Sequence, residues 1–115
     1  MSRDNQTIAG AQALLLSALI TPTEQGVASR VLAKTGGGNV TLFAFDAGQG
    51  LEEHTSPFDA LVMVLEGALV LTIGGTAVRA MPGTIVSMPR GVPHALEAPE
   101  QARMLLIMLR DGKQA

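Results

Sequence analysis

The stretch that decides the fold is GQGLEEHTSPFDALVMVLEGALVLTIGGTAVRAMPGTIVSMPRGVPHALEA, residues 48–98. Short apolar runs in it are separated by glycine and proline, and Gly74-Gly75 stands between two of these runs. Paired glycines supply the positive φ angles that a two-residue hairpin turn requires, so we predict a β-hairpin there. Similar runs occur outside the stretch, at Val27–Lys34, 40–45 and 104–109. Seven or eight short strands at this spacing predict an all-β sandwich or barrel.

The segment Ile8–Ile20 is the one part of the chain with a helical pattern. Ala11, Leu14, Leu15 and Ala18 would share one face of a short helix that ends before Pro22. At 13 residues the segment is too short to span a bilayer. It could pass for the core of a signal peptide, but Asp4 lies in the region that should be positive and no clean A-x-A cleavage site follows. We therefore expect a cytoplasmic protein that does not bind membranes.

The composition limits the classes of function that remain. A length of 115 residues fits one domain, residues 1–115, and 47% hydrophobic with 16% charged residues excludes a disordered chain. A net charge of −2 and three phenylalanines as the only aromatic residues argue against binding to nucleic acid. The absence of cysteine excludes disulfides, thiolate metal sites and cysteine nucleophiles.

The chain has two histidines, His54 and His94, and each lies at the edge of an apolar run. The second histidine ends the pattern G-x5-P-x-G-x2-H, which begins at Gly83 and includes Pro89 and Gly91. An isolated histidine is more often a structural residue than a ligand. The spacing around both of these histidines makes a functional pair the better hypothesis.

The region 48–98 resembles the two signature motifs of the cupin superfamily. The first motif matches at Gly48, His54 and Gly67, and the second at the four positions given above. The chain is therefore identified as a small single-domain, RmlC-like cupin. The resemblance implies a double-stranded β-helix, or jelly-roll barrel, to which the residue pattern at 8–20 adds a short N-terminal helix, and it implies a homodimer.

The resemblance also implies a degenerate metal site. The family's usual ligands are three histidines and one carboxylate, and His54 and His94 occupy two of these positions. Ser56 replaces the third histidine and Ala60 replaces the carboxylate. A serine hydroxyl is a poor ligand for a divalent transition metal, and alanine cannot bind one.

Other residues could complete or line this site. Glu52 has the same strand parity as His54 and is the candidate third ligand to a weakly bound divalent Zn, Ni, Fe or Mn. Met88 has the parity of the inward-facing Val86 and could offer a thioether to the cavity, although methionine more often fills a core. With Ser56 and Ala60, Met88 would line a small, rather apolar pocket for a small-molecule ligand.

The interpretation of the chain as a cupin with a degenerate metal site leaves three hypotheses for its function. The first is a cupin barrel that binds a metal ion, a small molecule or both through His54 and His94. The second is a metal-dependent enzyme, of dioxygenase or isomerase type, with a non-standard third ligand. The third is a non-catalytic module that senses a ligand. The fold does not decide among them, so whether the protein is an enzyme stays open.

The strand at 60–65 is apolar on both faces and predicts a partner outside the barrel. Val62 and Val64 have the parity of the inner face, which leaves Leu61, Met63 and Leu65 pointing outward. An exposed apolar face of this kind favours a closed pair of subunits, in agreement with the implied homodimer.

Overall fold

The apolar runs form the strands of two antiparallel sheets in a computed structural model, which describes residues 7–110. The strands in chain order are β1 Val27–Thr35, β2 Gly38–Phe45, β3 Gly50–His54, β4 Asp59–Glu66, β5 Leu69–Ile73, β6 Thr76–Ala80, β7 Ile85–Met88, β8 His94–Glu97 and β9 Ala102–Leu109. The larger sheet has the order β1-β2-β9-β4-β7, and the smaller has the order β3-β8-β5-β6. This is the predicted all-β jelly roll.

The core lies between the two sheets. The larger sheet contributes Val62, Val64 and Met104, and the smaller contributes Leu69 and Leu71, all of them almost fully buried. Because strand residues alternate between faces, every second side chain of β4 and β9 enters this core. Within residues 7–110, no helix is long and apolar enough to cross a membrane.

The predicted hairpin is present between β5 and β6. Ile73 pairs with Thr76 across the turn, and Gly74 and Gly75 have φ angles of 57° and 86°. Nine strands lie within residues 7–110, against the seven or eight expected. The two that do not stand out as apolar runs are β3 and β8, which contain few large apolar residues.

The N-terminal helix is a single 3-10 turn at Leu16–Ala18, and the rest of Ile8–Ile20 is not helical. The segment is fixed instead by contacts with the larger sheet. The guanidinium groups of Arg30 and Arg103 donate to the carbonyls of Leu19 and Ile20, and the Ile8 N–H donates to the Leu32 carbonyl. These carbonyls bind side chains outside the segment, so the tertiary contacts outweigh its helical pattern.

The two faces of β4 differ as the alternation predicts. Val62 and Val64 are buried, whereas Met63 is 36% exposed and Leu61 and Leu65 are partly exposed. The outer face at the other end of this sheet is covered, since Leu42 and Ala44 on β2 are fully buried. The uncovered apolar surface of the larger sheet is therefore centred on β4.

Candidate functional site

The two histidines face each other from adjacent strands of the smaller sheet. His54 is the last residue of β3, His94 is the first residue of β8, and the two are register partners. Their Nε2 atoms are 3.2 Å apart, and the rings meet edge to face with centroids separated by 4.4 Å. The structure thus brings together the only two imidazoles of the chain.

A glycine on β3 permits this close approach of the two strands. Gly50 pairs with Glu97, and a Cβ atom at position 50 would overlap the carbonyl oxygen of Leu96. Only a residue without a side chain lets the backbones of β3 and β8 come so near at this point. The pairing that follows along the strands places His54 opposite His94.

The other nitrogen of each ring contacts a backbone carbonyl two residues earlier. The His54 Nδ1 lies 2.8 Å from the Glu52 oxygen, and the His94 Nδ1 lies 3.2 Å from the Val92 oxygen. A carbonyl oxygen can only accept a hydrogen bond, so both Nδ1 atoms carry the hydrogen. In the neutral rings both Nε2 atoms are therefore without hydrogen, and they lie 3.2 Å apart.

The two neutral rings have one N–H hydrogen each, whereas the pair makes three close contacts. Each of the two Nδ1–carbonyl contacts uses the single N–H of a neutral imidazole, which leaves none for the contact between the Nε2 atoms. A proton or a metal cation bound between the two Nε2 atoms would stabilise that contact.

Burial disfavours a proton on His94. His94 is 4% exposed, and the cost of desolvating its charged form is the main effect that lowers its pKa below the ordinary 6.5. The hydrogen bond to the Val92 carbonyl opposes this shift, and the charge of His54 lowers the pKa further. His94 is therefore held in the neutral form that can bind a metal ion.

The pair opens into a cavity of about 280 Å³ between the two sheets. The residues around it come from strands of both sheets and from the loop after β3: His54, Thr55, Ser56, Pro57, Phe58, Ala60, Met88, His94, Leu106 and Met108. Most of the surface that lines it is apolar.

Three further residues singled out in the sequence lie in this cavity. Ser56, Ala60 and Met88 all line it, and Ala60 and Met88 are buried register partners on β4 and β7. The Ser56 hydroxyl accepts the N–H of Phe58 at 3.0 Å. That hydroxyl keeps its own hydrogen free to donate.

Glu52 does not lie in the cavity, which corrects the parity argument made for it. It lines a separate groove on the outer side of the smaller sheet, together with Glu97 and Val70. The cause is a β-bulge: Leu51 pairs with Leu96 and His54 pairs with His94, so β3 has one residue more than β8 in this interval. Because of the extra residue, Glu52 and His54 lie on opposite faces of the sheet, although they are two positions apart.

Residues 7–110 contain no group of three or more His, Cys, Asp or Glu residues that could hold a metal.

Sequence reasoning missed five residues that line the cavity: Thr55, Pro57, Phe58, Leu106 and Met108. Met108 is the register partner of Ala60 on β9, and Leu106 lies two residues before it on the same face. The available signal was the parity that both share with the buried Met104. It could not be used without knowing that β9 lies beside β4.

Comparisons with known proteins agree with this architecture. A family model described as a cupin domain matches residues 41–109, which is more than half of the chain. No curated protein matches the chain at a significant level.

Solved structures extend the similarity to almost the whole chain. A conserved protein of unknown function from Streptococcus pyogenes is 34% identical, with a TM-score of 0.86 and 96% of each chain covered. A cupin superfamily protein from Desulfitobacterium hafniense is 27% identical, with a TM-score of 0.85, 96% of this chain and 100% of that chain covered. A cupin 2 conserved barrel domain protein from Leptotrichia buccalis is 29% identical, with a TM-score of 0.78, 82% of this chain and 46% of that chain covered.

Proposed function

The chain belongs to the cupin domain family, and we propose that it binds a transition-metal ion in its barrel through His54 and His94. Water or a small-molecule ligand completes the coordination. The observation that carries the proposal is the pair of bare Nε2 atoms, 3.2 Å apart, with both Nδ1 atoms bound to carbonyls. A metal-binding histidine usually donates its other ring N–H to a carboxylate, a backbone carbonyl or water, and this hydrogen bond orients the ring.

The distance between the two nitrogens suits a shared ion. Two imidazole nitrogens at ~2.1 Å from one zinc ion, at the tetrahedral angle, lie ~3.4 Å apart. The observed 3.2 Å requires a shift of only a few tenths of an ångström from that arrangement. A metal ion bound by both Nε2 atoms would provide the positive charge that stabilises their close contact.

The ligand set narrows the choice of divalent metal. Imidazole suits zinc and nickel, whereas manganese prefers carboxylates, and the described residues bring no carboxylate into the cavity. Two protein ligands leave at least two coordination positions open, and a metal with open positions acts as a Lewis acid toward a bound oxygen. Ser56 could donate a hydrogen bond to such a ligand, while Phe58 and Leu106 would contact its apolar part.

A cavity that binds a small molecule without a metal is the second candidate. It is favoured by the apolar lining and by a volume near the lower end of small-molecule sites. In that case a hydroxyl of the ligand would donate to the bare nitrogens. The enzyme alternative needs a third protein ligand, and because Glu52 lies outside the cavity we propose no reaction.

Titration calorimetry with zinc(II) and nickel(II) tests the proposal on untagged protein, because a histidine tag would add imidazoles. We expect one ion per chain. His54→Gln should weaken binding by at least about ten-fold, since it removes one of the two protein ligands. Glu52→Gln is the matched control, because it removes a carboxylate two residues away that lies outside the cavity, and it should leave the affinity unchanged.

Two results would contradict the proposal. One is a wild-type protein that binds neither ion, and the other is a His54→Gln variant that binds as the wild type does. A Glu52→Gln variant as weak as His54→Gln would show instead that the carboxylate takes part in binding.

A further inference from the structure

We propose that this cavity selects copper(I) over zinc(II), because two methionines stand across it from the two histidines. The inference rests on the metal binding proposed above and adds the identity of the ion. It comes from a row of three residues on the larger sheet: Met88, Ala60 and Met108.

The row crosses three adjacent strands. Ala60 on β4 pairs with Met88 on β7 at one side and with Met108 on β9 at the other. All three residues line the cavity that contains His54 and His94. Neighbouring strands lie ~4.8 Å apart, so the small side chain of Ala60 leaves open the space between two long, flexible thioethers.

The donors of the cavity are therefore two imidazoles from one sheet and two thioethers from the other. Thioether sulfur is a soft ligand that selects copper(I), whereas zinc(II) is bound by thiolate, imidazole and carboxylate. Imidazole serves both ions. The methionines add affinity for copper(I) alone.

The charge of the ion leads to the same choice. Every donor in the set is neutral, so the bound site keeps the full charge of the ion in an apolar cavity. Burying a charge away from water is costly, and the cost grows steeply with the size of the charge. A monovalent ion is thus easier to accommodate here than a divalent one.

Competition against a chromophoric copper(I) chelator, under anaerobic conditions, measures the affinity for copper(I) directly, and calorimetry gives the zinc(II) affinity of the same variants. The double variant Met88→Leu/Met108→Leu keeps apolar side chains of similar volume and removes both sulfurs. It should lose at least about ten-fold in copper(I) affinity and change little in zinc(II) affinity. Met104→Leu is the matched control, because Met104 is a buried methionine on β9 that is not part of the cavity lining.

The inference is overturned if the double variant binds copper(I) as tightly as the wild type, or if it loses copper(I) and zinc(II) affinity equally. His54→Gln separates the two proposals: if copper(I) binding does not depend on His54, the histidine site itself is wrong. If binding depends on His54 and not on the methionines, only the copper preference fails.

X-ray absorption of the wild-type copper(I) protein tests the same point without any substitution that could disturb folding. We expect both nitrogen and sulfur neighbours around the copper. A shell made of nitrogen and oxygen alone would overturn the inference.

Discussion

His94 couples the ionisation of the site to the stability of the barrel. Its pKa is lowered in the folded protein, chiefly by burial, so the folded state favours the neutral ring. In the unfolded chain the ring takes up a proton near pH ~6.5. Below that pH the unfolded state therefore binds more protons than the folded state, and stability falls.

We expect the free energy of unfolding of the metal-free protein to decrease as the pH falls below about 6.5, until the folded-state pKa is passed. Denaturant unfolding with a chelator present measures it. His94→Gln, which does not titrate, should show a smaller decrease over the same range. An equal pH dependence in the variant and the wild type would mean that His94 is not the group responsible.

Residue identity made much of the site predictable, but not all of it. His54, His94, Ser56 and Ala60 stand at motif positions, and the structure gathers them around one cavity. Glu52 could not be placed correctly, because parity counting assumes an unbroken strand and β3 contains a bulge. The sequence carries no clear signal for that extra residue.

At the scale of elements, the strands that were hardest to predict are the ones that hold the histidines. β3 and β8 contain only one large apolar residue each, Leu51 and Leu96, so they do not appear as apolar runs. The hairpin between β5 and β6 was predictable, since Gly74-Gly75 fixes its turn locally. Pairing between distant strands, such as β4 with β9, depends on the whole fold and is not encoded in either segment alone.

The N-terminal segment also depends on contacts that its own sequence pattern does not predict. Its apolar residues repeat at a helical spacing, yet only Leu16–Ala18 forms a helical turn. Contacts from Arg30 and Arg103, which are distant in sequence, bind its carbonyls. The local pattern was correct about a short helix and could not predict how little of the segment it would include.

At the scale of the whole molecule, the outer face of the larger sheet predicts a homodimer. Met63, Ile85 and Leu109 are 36%, 56% and 46% exposed, and Met63 pairs with Ile85 across β4 and β7. The N-terminal segment contacts the same outer face at Arg30 on β1 and Arg103 on β9, but it leaves Met63 on β4 36% exposed. A second copy of the chain is the simplest cover for such a face.

Met63→Glu places a charge in the centre of that face and should raise the dimer dissociation constant by at least about ten-fold. Light scattering over a range of concentrations measures the change. Ala77→Glu is the control, because Ala77 is exposed on the smaller sheet, and it should leave association unchanged. A monomeric wild type would refute the dimer, while a dimer that survives Met63→Glu would place the interface on another surface.

In the proposed metal site, both imidazoles bind one ion through their Nε2 atoms. Long-range proton–nitrogen NMR correlation of the untagged protein tests it most directly, because the chain has only two histidines to assign. We predict that with one equivalent of zinc(II) both Nε2 resonances shift together and both Nδ1 atoms stay protonated. A zinc-bound spectrum in which only one ring responds, or in which either Nε2 carries the hydrogen, would show that the two rings do not share the ion.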